Sequence, residues 1–156
     1  MLQAEDKIMF KTRLFTVCRQ ILEERITKCL SEVNNAQALA NEEEKSSAGD
    51  KYETGRAMSH REKDMFSKQA ALNKSELAAL LSIDYLRLYK SIQPGAAIIC
   101  DDCIFFIAAG LGKISMDATT VYFLSPFAPF AKMLSSKKRG DIIIFNTKEI
   151  IIRDFF

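Results

Sequence analysis

Proline and glycine are spread so unevenly along this chain that they decide where it can be helical. Residues 1–93 contain no proline and two glycines, Gly49 and Gly55, whereas all three prolines and the other four glycines fall in residues 94–156. A helix interior loses about 3 kcal/mol to a proline and about 1 kcal/mol to a glycine. The first part is therefore free to form long helices and the second is not. Pro94-Gly95 is a strong turn signal and marks the expected boundary between one domain at 1–93 and another at 94–156.

Within the first part, Phe15, Cys18, Leu22, Ile26, Cys29, Val33, Ala36 and Ala40 recur at spacings of three and four. That is one apolar stripe on a long helix. Met58, Met65, Leu72, Ala79 and Leu86 recur at a strict interval of seven, the period that keeps a seam facing a partner helix. Between the two stripes, Lys45 to Asp50 is small and polar and suits a tight reversal. The pattern predicts an antiparallel coiled-coil hairpin with an acidic tip at about residues 44–53. Each arm would hold about 40 residues and so run roughly 60 Å.

After Pro94 the chain turns to short runs of Ile, Phe and Val. Strands are predicted at 97–100, 104–108, 113–116, 120–124, 142–145 and 149–153. Asp101-Asp102, Asp117-Ala118 and Asn146-Thr147 supply turn chemistry between them. Residues 127–136 leave room for one short helix with Pro129 near its start. The fold class is α+β: a helical hairpin followed by a small bent sheet carrying one helix. A domain of about 60 residues is marginal alone, so the hairpin base is expected to pack against the sheet.

Composition narrows the function. With 48% hydrophobic and 27% charged residues the chain is an ordinary globular one, and its longest apolar run, residues 104–111, is far short of the roughly 20 residues of a membrane span. No basic-then-apolar leader opens it, so a soluble, cytoplasmic protein without a membrane partner is expected. A net charge of +2 lacks the basic excess of a dedicated duplex-DNA binder, and sequence-specific DNA binding is not expected. A single histidine, His60, leaves no ligand set for a multi-histidine metal site. No nucleophile–base pair or phosphate-binding glycine loop is present, so a self-standing enzyme is not expected either.

Two constellations carry chemistry. Asp50 and Glu53, spaced i, i+3, share one side of a helix, and paired carboxylates are the hard oxygen ligands that Mg²⁺ accepts. The same spacing fits a capping box, and negative charge is favoured at a helix N-terminus. Both readings stand, since a capped start also holds carboxylates in place. Residues 42–53 carry five acidic and two basic side chains, which suits a solvated tip as well. Cys100 and Cys103 have the spacing of half a zinc ribbon or of a redox pair. A structural zinc site needs four ligands, and Cys18, Cys29 and His60 are placed where they cannot converge on them. Reduced thiols that are not zinc ligands are expected.

The stretch Gly49-Asp50-Lys51-Tyr52-Glu53 resembles the G-D-x-x-E tip of the bacterial Gre (GreA/GreB-like) transcript-cleavage factors. Ser125-Pro126, followed by Leu134, Lys137 and Gly140-Asp141 ahead of an isoleucine strand, resembles their C-terminal domain. Tyr52 and Leu124 depart from the usual pattern, as does the absence of an early proline-containing motif, and they mark a divergent member. The resemblance spans nearly the whole chain. It implies an FKBP-like C-terminal domain that docks on RNA polymerase through Ser125 and Pro126, with the coiled coil inserted into the secondary channel. Asp50 and Glu53 would then help position Mg²⁺ in the polymerase active site for hydrolysis of backtracked RNA. The tip would come within reach of the nascent transcript. The factor itself would hold no cofactor when free, the ion being bound only within the polymerase complex. A non-catalytic relative that binds polymerase, or another enzyme, and blocks it would share these features. A plain interaction module would instead bury a continuous outer stripe on its coil.

Overall fold

The computed structural model describes the backbone of residues 2–44 and 49–156 and the side chains of residues 2–42 and 54–156. The architecture is α+β. Helix α1 spans Ala4–Glu44 and α2 spans Gly49–Leu81. Six strands then follow: β1 Ala97–Cys100, β2 Ile104–Ile107, β3 Gly112–Met116, β4 Thr119–Leu124, β5 Ile142–Phe145 and β6 Lys148–Phe155. A short helix, α3 (Pro129–Leu134), lies between β4 and β5. The reversal expected between the long helices falls largely on residues 45–48, which lie outside the described residues.

Contacts divide the chain into two compact units, Met1–Arg19 with Ala79–Phe156, and Gln20–Ala78. In the second unit, α1 buries Leu22, Cys29, Ala36 and Ala40, as its three-and-four spacing requires. Cross-helix contacts step in opposite senses: Cys29 Sγ lies 3.9 Å from Gln69 Oε1 and 4.0 Å from Asn73 Nδ2, while Lys63 Nζ donates to Gln37 Oε1 at 2.7 Å. The seven-residue seam does not survive. Met58 is 58% exposed, Met65 47% and Leu72 68%, and Leu86 lies beyond the end of α2. The buried face of α2 runs instead through Ser59 and Ala70. An α-helix drifts about 20° per heptad against a strict seven-residue repeat. Small residues (Ala36, Ala40, Ser59 and Ala70) are the buried ones on these stretches of the two helices, while the larger methionines and leucine are turned outward.

The first unit is built on a single sheet of order β3-β4-β2-β1-β6-β5, antiparallel except where β2 runs beside β4. Central strand β2 is buried along its whole length, which is why Ile104–Ile107 reads as a continuous apolar run. Phe105 and Ile107 face a core shared with Ala131 and Leu134 of α3, Ile98, Ile143 and Ile152. Two hairpins close through Asp117-Ala118 and Asn146-Thr147, all four at positive φ, the conformation that two-residue turns of type I′ demand. At the Pro94-Gly95 turn, Gly95 has φ +92°, and a Cβ there would come within 2.7 Å of Ile83 Cγ2. Only glycine fits.

The start of α1 is tied to this unit. Gln3 N–H donates to Asp6 Oδ2 at 3.2 Å, half of a capping box. Lys7 Nζ reaches Asp154 on β6 at 2.7 Å, Arg13 pairs with Asp117, and the Phe15 ring stacks on Tyr85 at 4.0 Å. Lys11 is fully buried, donates from Nζ to the Arg87 carbonyl at 2.6 Å and sits 4.5 Å from the centre of the Tyr89 ring. It thereby pins the irregular segment 82–93 to α1.

Burial pushes the Lys11 ammonium down from 10.5 to about 8, opposed in part by the Asp84 carboxylate. Between those values the unfolded chain holds a proton that the folded chain has shed. Stability should therefore rise with pH across that window, by up to about 3 kcal/mol. A neutral amine still donates to the carbonyl, so the contact itself is kept. In Lys11→Met the rise should vanish. Melting temperatures of the two proteins at about pH 7 and about pH 10 check this, because other titrations cancel in the difference. An equal change in both proteins would show that Lys11 is charged throughout.

Candidate functional site

Asp50 and Glu53 lie on α2, in the first turns after Gly49. Their i, i+3 spacing on that helix backbone is the one the sequence implies. Their side chains lie outside the described residues. Beyond the tip, Arg56, Arg61 and Glu62 continue along α2.

Ser125 and Pro126 lie at the other chemically suggestive place, the turn between β4 and α3. The Ser125 carbonyl accepts from Ala128 N–H at 3.0 Å, and its hydroxyl accepts from Phe127 N–H at 3.2 Å. These two bonds satisfy the backbone of a turn that Pro126 stiffens. Gly110 backs the turn closely: a Cβ there would stand 3.4 Å from the Ser125 Cβ. Ser125 and Pro126 are half-buried, and Phe127 between the two prolines projects its ring with 78% exposure. The sequence left residues 127–136 room for one short helix, of which α3 takes Pro129–Leu134. The available signal was Pro129, which fixes the first turn of α3 and leaves Phe127 ahead of it.

The remainder of the C-terminal motif is structural. Lys137 N–H donates to Leu134 O at 2.9 Å, closing α3. Asp141 Oδ2 accepts from Lys138 N–H at 2.8 Å, and Gly140, at φ +88°, donates to Ile152 O at 2.8 Å. The K-x-x-G-D spacing is thus a clip that delivers the chain into β5 alongside β6.

In the Gln20–Ala78 unit a cleft of about 670 Å³ opens between α1 and α2, lined by Cys29, Phe66, Gln69, Leu72 and Asn73 among others. Arg25, Lys28 and Glu32 of α1 also line it, so the groove mixes charged, amide and apolar side chains. Among the described residues no three histidine, cysteine or carboxylate side chains gather around a point where a metal could sit. Nor is any described helix long and apolar enough to cross a membrane. Cys100 and Cys103 flank the β1–β2 turn and are both buried thiols.

No protein-family model, curated protein or solved structure matches the chain.

Proposed function

We propose that this chain is a divergent Gre-type factor that binds RNA polymerase and assists cleavage of backtracked RNA. On this reading α1 and α2 form a coiled-coil hairpin that enters the secondary channel. The sheet with α3 is an FKBP-like docking domain. The observation that carries the reading is the coincidence of two motifs with two elements. G-D-x-x-E opens the second of two long helices, and Ser125-Pro126 occupies a turn with an exposed aromatic ring beside it.

The chemistry of the tip suits the task. Two carboxylates one helical turn apart are hard oxygen donors, so Asp50 and Glu53 fit a divalent ion such as Mg²⁺. Such an ion, when bound, stabilises charge on the attacking or leaving oxygen of a phosphodiester. Supplying the carboxylates from a separate protein makes the activity conditional on docking. The docking turn works differently. A half-buried serine and proline hold the backbone, and Phe127 offers apolar area of the kind that anchors interfaces.

Retention of core RNA polymerase on the immobilised protein tests the reading. The native protein should retain it. Ser125→Glu combined with Pro126→Ala should weaken retention by about tenfold, a loss of about 1.4 kcal/mol. Raising the factor concentration should restore occupancy. Failure of the native protein to retain polymerase at any concentration would remove the reading altogether. Retention without cleavage would make the protein a channel-blocking regulator.

A further inference from the structure

The β1–β2 register pairs Ala97 with Phe106, Ile98 with Phe105 and Ile99 with Ile104. Continued by one step, it sets Cys100 opposite Cys103, and Cys100 N–H donates to the Cys103 carbonyl at 2.9 Å. Directly opposed residues of an antiparallel pair point to the same face, with Cα atoms about 5.5 Å apart in a hydrogen-bonded pair. That spacing falls within the roughly 4.4–6.8 Å that a disulfide spans. Both side chains join the same core cluster. The turn between them is only Asp101-Asp102, and Arg153 on β6 holds Asp101 in place.

The two sulfurs differ in access. Cys103 lines a cavity of about 210 Å³, together with Asp102, Tyr122, Phe145 and Lys148, and Cys100 is not among the lining residues. We infer that Cys100 and Cys103 form a reversible dithiol–disulfide pair, oxidised by a small organic disulfide such as oxidised glutathione that meets Cys103 in this cavity. Their assignment as inert reduced thiols then describes only the reduced state.

The division of labour follows from access, since Cys103 alone of the two lines the cavity. Hydrogen bonding with Cys100 holds the Cys103 thiol below its ordinary range against the opposing effects of burial and Asp102. The same bond, with burial, raises the Cys100 thiol. Cys103, which meets the cavity, is the attacking thiolate, and the more enclosed Cys100 is the resolving group. In the first step the Cys103 sulfur attacks one sulfur of the small disulfide. The S–S bond breaks, one small thiolate leaves, and Cys103 carries a mixed disulfide. Cys100 then gives its proton to the departed thiolate and attacks the Cys103 sulfur; the second small thiolate leaves and takes up from water the proton that Cys103 released on ionising. In balance, two protein thiols are oxidised and one small disulfide is reduced to two thiols.

The full chain, equilibrated with oxidised and reduced glutathione, quenched in acid, alkylated and examined by peptide mass spectrometry, tests this. The native protein should show a Cys100–Cys103 cross-link, lighter by two hydrogens and reopened by dithiothreitol, while Cys18 and Cys29 remain alkylated. Cys100→Ser should trap glutathione on Cys103, at a level at least about tenfold above that in native protein, because the resolving thiol is gone. Cys103→Ser should leave Cys100 without an adduct. Since a serine hydroxyl is costly in this core, alanine variants are run beside the serine ones, and the native measurement decides alone if none of them folds. Full alkylation of both cysteines in native protein at every glutathione ratio would overturn the inference. So would an adduct that prefers Cys100 in Cys103→Ser over Cys103 in Cys100→Ser.

Discussion

Asp50→Ala combined with Glu53→Ala is expected to reduce factor-stimulated cleavage of a backtracked transcript to the polymerase's own slow rate, while polymerase retention stays native. The two proposed functional places are far apart in the sequence. The two carboxylates open α2, whereas Ser125, Pro126 and Phe127 stand between β4 and α3. Loss of a cap at the start of a long helix costs about 1 kcal/mol, too little to unfold a helix of 33 residues. A cleavage defect would therefore report chemistry. The measurement is cleavage of labelled RNA in a halted elongation complex, followed across factor concentrations. Excess double variant should not rescue activity, whereas excess of the Ser125, Pro126 variant should. If the tip variant cleaves as well as native protein, Asp50 and Glu53 are helix caps and the proposed positioning role fails.

Phe105→Ala is expected to cost about 3–5 kcal/mol, the range for removing a fully buried aromatic ring. The Phe105 ring has no exposure and lies 5.5 Å from Tyr122, 5.3 Å from Phe130 and 5.0 Å from Phe145, centre to centre. These rings belong to β2, β4, α3 and β5, so one side chain knits four elements. Small domains are stable by only about 5–15 kcal/mol in total, and a loss of this size should lower the urea midpoint sharply. Phe127→Ala, at an exposed ring, should move stability by no more than about 0.5 kcal/mol. Equal midpoints for Phe105→Ala and native protein would mean that the four rings do not form a common core.

Most of the sheet was legible because its signals are local. Alternation and β-branched runs mark the strands, and Asp117-Ala118 and Asn146-Thr147 mark hairpin turns that the backbone realises at positive φ. The α1 stripe from Phe15 to Ala40 was legible for the same reason: a helix face repeats within a few residues. The α2 face was not. Its buried positions include Ser59 and Ala70, small side chains with a weak apolar signal, whereas the larger methionines recur at a regular interval on the exposed side. Lys11 was equally silent, since nothing local distinguishes a buried lysine from a solvated one. Its partners, Arg87 and Tyr89, are remote in sequence. At the candidate site, Ser125-Pro126 could be read from the chain, but the projection of Phe127 could not. It depends on where α3 begins and on how Gly110 packs behind the turn.

The sheet-bearing unit is assembled from two stretches of chain, with residues 20–78 intervening. Bringing residue 19 to residue 79 through a disordered intervening segment of that length would cost roughly 2–3 kcal/mol more than closing a few-residue link, since closure entropy grows as (3/2)RT ln n. Helical pairing within residues 20–78 removes most of that cost in advance, because contacts that step in opposite senses along α1 and α2 carry the two ends back to one another. The helical insert therefore acts as an entropic splint. Contacts such as Lys7 to Asp154, separated by 147 residues, are made across a gap already closed, and weakening the helix pairing loosens the sheet without touching any of its side chains.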